Sequence, residues 1–318
     1  MAGPARGKEE KQMLRYTCKR ILTGILSLFV LVTAAFFLTR MMPGSPFQTG
    51  NVTESVLESM EEEYGLNDPP VRQYQTYLGN LLKGDLGVSF KKPGVSVSEV
   101  IGRAWPATAS LGALAILAAV VVGTCLGIWQ ASTKNRAVKG GIFFGTILGT
   151  GIPNFVIALL LMLCFGVKLK LLPIAGLKSA ANYVLPVISL AVYPASVIAR
   201  LMQNTFREEM SRDYVVLAKA KGLKWRRTAV THILKNAWIP VLNYIGPAAA
   251  FLMTGSFVVE SVFTIPGLGR EFVNSIANRD YTLILGLTIF MGVTVIVINL
   301  LTDLLCACLD PRVRRAYR

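Results

Sequence analysis

Apolar residues in this chain fall into long runs, at 21–39, 107–129, 142–165, 184–199, 239–259 and 283–307, with polar stretches between them. All but 184–199, which needs its neighbours, are long enough to cross about 30 Å of hydrocarbon as a helix rising about 1.5 Å per residue. Backbone in lipid must satisfy its own hydrogen bonds, so runs this long predict helices. They are too continuous for the alternation of a membrane β-barrel. The pattern predicts an all-α polytopic membrane protein with six transmembrane helices and both termini on one side.

Two polar stretches exceed what a connector needs. Within 40–106, residues 54–64 and 71–83 have helical spacing and run to Gly65 and Gly84. The segment GDLGVSFKKPG, 84–94, is turn-rich, 95–105 reads as a short surface helix, and Pro106 is placed to open the second span. Eight acids against six bases make this region a mildly acidic cap, either a docking face for a ligand-binding protein or a solvated loop. The second stretch, 200–240, carries nine Lys/Arg against three Asp/Glu. Residues 203–221 favour a helix, Gly222 is a natural stop, and 224–238 restarts through Trp225, Val230, Ile233 and Leu234. Helix, glycine turn, helix describes either a lever seated on a partner or an amphipathic hairpin held by anionic lipid.

Charge orients the spans. Residues 1–20, 130–141, 200–238 and 310–318 hold 22 of the 33 Lys/Arg, and 40–106, 166–183 and 260–282 hold the other 11. The positive-inside rule puts the first set in the cytoplasm and 40–106 outside. The net charge of +15 is mostly this asymmetry, so it does not argue for nucleic acid. Hydrophobic residues at 53%, charged residues at 16% and a mean hydropathy of +0.52 agree with a membrane chain. The first span follows Lys19 and Arg20 like a signal peptide, but it is long and Arg40-Met-Met-Pro-Gly-Ser is a poor cleavage site, so a retained helix is expected. Residues 1–12 are polar and read as disordered or as a start-site extension.

Candidate chemistry is sparse. Cys18, Cys125, Cys164, Cys306 and Cys308 lie in or beside apolar runs without metal-ligand spacing, and the single histidine, His232, sits in the basic segment. No catalytic set and no metal site is predicted. Asp303, near the end of the sixth run, is placed to pair with a basic residue at the inner face. Gly145, Gly149, Gly151 and Pro153 in the third run, Pro186 and Pro194 in the fourth, and Gly246, Pro247 and Gly255 in the fifth allow close packing or kinks. Asn154, Ser196, Asn204, Asn243 and Thr254 are the polar residues placed to line a wet path.

The segment DYVVLAKAKGLKWRR…HILKNAWIPV, 213–241, resembles the cytoplasmic coupling loop of inner-membrane permease subunits of ATP-binding-cassette importers, peptide/nickel branch. Gly222 and Pro240 match that family's spacing, whereas its Glu-Ala-Ala triplet is represented by Val216-Leu217-Ala218. PGSPF (43–47), YGLNDP (64–69), GDLGVSF (84–90), LLPIAG (171–176), TGSFVVESVFTIPGLGREFVNSIANRDY (254–281) and DPR (310–312) extend the resemblance along the chain from Met13. The wording is most similar to the B-type permease of oligopeptide importers, with dipeptide, nickel and glutathione permeases sharing much of it. The resemblance implies a type I importer permease domain over 13–318 in the cytoplasmic membrane, paired with a second homologous permease. It also implies two cytoplasmic ATPases carrying ATP and Mg, and an extracytoplasmic peptide-binding protein. This chain has no GxxxxGK[ST] phosphate loop and is expected to bind no cofactor itself. By the same resemblance Tyr214, Leu217, Ala218, Ala220, Gly222 and Leu223 would meet an ATPase. Pro266, Gly267, Gly269, Arg279 and Asp280 would shape an external turn or mouth. A membrane scaffold or sensor, with 40–106 sensing and 206–240 signalling, is the alternative of a different class.

Overall fold

A computed structural model describes the backbone of residues 4–42, 67–92 and 94–309. The expected helix at 54–64, the PGSPF stretch at 43–47 and the DPR at 310–312 lie outside the described residues. The elements are α1 (Pro4–Arg40), α2 (Pro70–Leu82), α3 (Val97–Ser132), α4 (Arg136–Gly151), α5 (Asn154–Leu161), α6 (Ala181–Met210), α7 (Asp213–Ala220), α8 (Trp225–Thr228), α9 (Leu234–Thr254), α10 (Phe257–Val262), α11 (Leu268–Ala277) and α12 (Tyr281–Leu309). π-Helical turns at Met162–Lys168 and Ala229–Ile233 extend α5 and join α8 to α9. Five helical stretches are long and apolar enough to cross a membrane, or six if the bent pair α4/α5 counts as one span.

Helix α3 is the centre of the bundle. Gly112, Ala115, Ala119, Gly123 and Gly127 recur every three or four residues, and all are buried. A Cβ on Gly123 would lie 2.6 Å from the Ala195 carbonyl of α6, and one on Gly127 would lie 2.6 Å from that of Ala199. On Gly112 it would meet the Leu252 carbonyl of α9 at 2.7 Å. Helices gain little from apolar burial against each other in lipid, so close backbone approach across small residues is the main source of association. These contacts also give the directions: α6 runs parallel to α3, and α9 antiparallel to both. Helix α12 returns beside α9 through Gly246 and Thr302. Helix α1 lies against α12, with Gly24 facing Ile296 and Arg20 paired with Asp303 at 3.2 Å, so Asp303 has the basic partner expected of it.

Several expected boundaries change. Helix is described from Pro4, through most of the 1–12 stretch expected to be disordered, where Ala, Lys, Glu and Gln are good helix formers. Residues 95–105 are not a separate surface helix. Ser96 caps α3 by accepting from the Glu99 N–H at 3.2 Å, and the helix runs unbroken through Pro106. A proline ring crowds the residue four positions earlier, which here is Gly102, with open space around it. Nor do Pro186, Pro194, Pro240 and Pro247 break α6 or α9. The break comes at Gly151-Ile152-Pro153, where α4 and the α5 segment meet at 105°. Gly149 packs on Ser196 and Val192 of α6, so the break falls about half-way along α6.

Gly123→Ala should force α3 and α6 apart and cost about 1–3 kcal/mol, the usual penalty of overpacking. Thermal unfolding of the purified chain would read this, with Gly145→Ala, which meets open space, as the unaffected control.

Candidate functional site

The basic segment is built as a rigid continuation of the bundle. Helix α6 extends past its apolar run to Met210 and α7 follows after a two-residue turn, so 203–221 is broken where a continuous helix was expected. Arg212 spans the turn through its pair with Glu208 at 2.6 Å. Helix α7 ends at a left-handed Gly222, φ +74°. The Leu223 N–H reaches the Ala218 carbonyl at 3.1 Å and the Gly222 N–H reaches Lys219 at 2.9 Å, so the glycine lets the last carbonyls be satisfied. The chain then re-enters helix at Trp225 and continues through the π-turn into α9, giving a 30-residue stretch, Trp225–Thr254.

Polar bonds tie this hairpin to the rods on either side of it. The Tyr214 hydroxyl donates to Glu209, and the Asn236 amide donates to Tyr214 at 3.3 Å and to Glu209 at 3.4 Å. Burial, and then the Glu209 carboxylate, push the Tyr214 hydroxyl above its ordinary pKa. Thr205 of α6 donates to the Ala237 carbonyl of α9 at 3.0 Å. Val215, Ala218, Thr228 and Ile233 form the buried side. Of the six residues expected to meet a partner, Ala218 is therefore turned inward, Tyr214 and Leu223 are half-buried, and Leu217, Ala220 and Gly222 face out. Val216, Leu217 and Val230 add an exposed apolar surface, 56–65% accessible.

At the opposite end of the bundle, the glycines of 254–281 close around a carboxylate. Glu260 of α10 is 2% exposed. Its oxygens accept from the Thr108 hydroxyl and the Arg270 N–H, both at 2.9 Å, and Thr108 accepts in turn from the Leu268 N–H at 2.8 Å. A Cβ on Gly267 would meet the Glu260 carboxylate at 2.6 Å, and one on Gly269 would meet the Phe257 nitrogen at 2.7 Å. Gly255, at φ +106°, brings the end of α9 against Gly269. Burial pushes the Glu260 carboxyl above its usual range, while the Arg270 N–H, the Thr108 hydroxyl and the Gly269 and Ser256 N–H groups pull it back. Gly267 and Gly269 are thus buried packing positions and Pro266 is exposed at the turn.

Asp280 is buried as well. It caps α12 through the Leu283 N–H at 3.2 Å, accepts from the Phe90 N–H at 3.1 Å and the Lys91 N–H at 3.3 Å, and takes a bond from Ser89. Lys92 pairs with Glu271 at 2.7 Å beside it. Arg279 occupies the left-handed position that ends α11, φ +56°. Asp280 therefore fastens the 84–94 loop to α12.

The five polar residues proposed for a path divide. Ser196 is buried, donates to the Val192 carbonyl at 2.8 Å and packs on Gly149, which makes it a helix-contact residue. Asn204 and Asn243 are exposed, and Asn154 and Thr254 are half-exposed. Sequence reading passed over Glu260 and Thr108. The available signal was a lone carboxylate in an apolar SFVVES run bracketed by glycine turns.

Residues 123–315 match the family described as binding-protein-dependent transport system inner membrane component, and residues 13–112 match its N-terminal part. The chain is 38% identical over 302 residues to the dipeptide transport system permease protein of Lactococcus lactis, covering 95% of this chain and 100% of that protein. It is 41% identical over 305 residues to the oligopeptide transport system permease protein of Haemophilus influenzae, again covering 95% and 100%. Among solved structures, an inward-facing MetNI methionine ABC transporter matches with a TM-score of 0.53 at 16% identity, covering 66% of this chain and 96% of that one, a likeness of fold.

Glu260→Ala should leave buried N–H and hydroxyl donors without an acceptor, at about 1–3 kcal/mol for each group orphaned. A fall in thermal stability larger than that of Glu99→Ala, an exposed carboxylate on α3, is the expected result.

Proposed function

We infer that this chain, which belongs to the family of binding-protein-dependent transport system inner membrane components, is a permease subunit of an ATP-driven peptide importer. Its similarity over almost its whole length to two peptide permeases carries the inference. The chain is a multi-pass membrane protein and is not itself the ATPase; hydrolysis resides on partner subunits.

The finer reading is our proposal. The basic end faces the cytoplasm, supported by the 22 against 11 division of Lys/Arg. Six spans then cross the cytoplasmic membrane, with the α4/α5 pair counted as one. The chain pairs with a second, homologous permease, two cytoplasmic ATPases bind below, and an extracytoplasmic binding protein delivers peptide at the opposite end. Oligopeptides are the proposed cargo. The PGSPF and 254–281 wording supports that choice; relatives named for dipeptide transport match at 38–41% and those named for oligopeptide transport at 39–41%, so identity alone favours neither.

The hairpin supplies the coupling. Leu217, Ala220 and Gly222, with Val216 beside them, present the surface for an ATPase groove. Tyr214 and Ala218 serve from inside by holding α7 on the rods. Because α6 and the 225–254 helix enter the hairpin without a flexible linker, ATPase closure would displace both rods. Asn204, Asn243, Thr254 and Asn154 remain the path residues of the proposal, and peptide would pass between the two permeases.

Gly222→Leu and Leu217→Asp test the hairpin. A Cβ at Gly222 meets open space and Leu217 is exposed, so both variants should fold, with about 1–2 kcal/mol of left-handed strain in the first. Each should nevertheless lower co-purification with ATPase and uptake of labelled peptide by about tenfold, which needs only about 1.4 kcal/mol of lost docking energy. Normal uptake would sink the coupling assignment. Comparing di-, tri- and pentapeptide uptake by the reconstituted complex tests the cargo, with preferential pentapeptide transport expected.

A further inference from the structure

Where the basic ends of α3, α4 and α6 meet, a cleft of about 270 Å³ is lined by Gln130, Lys139, Gly140, Phe143, Gln203 and Arg207. This is just under the roughly 300–1,000 Å³ of small-ligand sites. It admits a headgroup but not a whole lipid. Among the described residues neither Lys139 nor Arg207 makes an ion pair, so two uncompensated positive charges border one cavity.

Gln130 adds a second, independent signal. It is 5% exposed, and its amide N–H donates to the Lys139 carbonyl at 3.3 Å, while its Oε1 is buried without a partner. Exchanging the amide's O and N would set oxygen against the Lys139 carbonyl, so the unpaired group is an acceptor. A ligand that suits the cleft carries negative charge for the two cations and a donor that can reach the Gln130 amide oxygen.

The surroundings identify its source. Trp129, Phe143 and Phe144 are more than half exposed beside the cleft, as aromatic side chains are at a membrane–water boundary. One to two turns further on, Val121, Val122, Ile147 and Leu148 are exposed and apolar. Gly140 and Gly141 have no neighbour within 4 Å of a Cβ position, leaving the α4 side of the opening unobstructed. Basic pockets between helices at this level suit anionic headgroups. We propose that this cleft binds the phosphoglycerol headgroup of an anionic phospholipid of the phosphatidylglycerol class. The phosphate lies against Lys139 and Arg207, a glycerol hydroxyl donates to Gln130 Oε1, and the acyl chains run along the Phe143 side of α4.

The test uses the full chain, in the complex with which it purifies, in phosphatidylcholine discs containing a minority of phosphatidylglycerol. Lipid retained through a phosphatidylcholine wash is quantified by mass spectrometry. Lys139→Gln and Arg207→Gln should each lower retained phosphatidylglycerol about fivefold. Gln130→Leu should lower it too, yet leave unchanged the retention of phosphatidic acid, which lacks the glycerol hydroxyls. Arg226→Gln with Arg227→Gln, a charge-matched pair on the hairpin, should change neither. Equal loss in that control pair would mean diffuse attraction, and undiminished retention in the Lys139/Arg207 double variant would mean no site; either overturns the proposal. Binding of soluble glycerol 3-phosphate as tight as that of the lipid would overturn the lipid assignment in favour of a free anion. Thermal unfolding of each variant separates lost binding from lost fold.

Discussion

Backbone contact between α3 and its two neighbours is the constraint on which the rest of the structure depends. Apolar side chains are no better placed against another helix than against lipid, so close approach has to supply the association. Gly123 and Gly127 bring α6 within contact of α3, and Gly112 does the same for α9. Both rods are therefore referenced to one central helix. Any side chain larger than hydrogen at those glycines would meet a carbonyl, which leaves little freedom for the rods to slide at the seam itself.

The two ends of these rods are held by different physics. At the end opposite the basic one, Glu260 and Asp280 are 2% and 1% exposed, and each gathers three or more donors. Buried polar networks of this kind lose much when one member is displaced, so they fix geometry. At the basic end the polar ties are exposed or half-exposed, Arg212 with Glu208, Asn236 with Tyr214 and Glu209, and Thr205 with the Ala237 carbonyl, over the buried Val215, Ala218, Thr228 and Ile233. Such pairs contribute little each and exchange readily with water. Displacement is therefore resisted most strongly at the end opposite the hairpin.

Much of this was legible in the sequence. The six apolar runs gave the helices because lipid admits little else, and Gly222 gave the hairpin turn because a left-handed residue was required there. Boundaries differ where a helix outlasts its apolar run, as at 97–106, since hydropathy reports the membrane and not the hydrogen-bond ladder, and where the expected 203–221 helix breaks at 211–212. Proline alone does not mark a break. Pro186, Pro194, Pro240 and Pro247 lie within continuous helices, while Pro153, two residues after Gly151, ends one. The Glu260 node could not be read locally, because Thr108 is 152 residues away, and Asp280 and Ser89 are 191 apart.

The last turn of α6 is where these separate features meet. Successive residues point about 100° apart around a helix of 3.6 residues per turn, so three neighbours serve three directions. Arg207 lines the cleft against α3 and α4, Glu208 holds Arg212 across the turn into α7, and Glu209 holds Tyr214 and Asn236. A headgroup seated on Arg207 and an ATPase seated on α7 would load the same turn from opposite sides. The energy available from an anionic lipid is small, about 1 kcal/mol per cation. It acts, however, at the end whose own ties are weak, which is where a small bias moves the rods furthest.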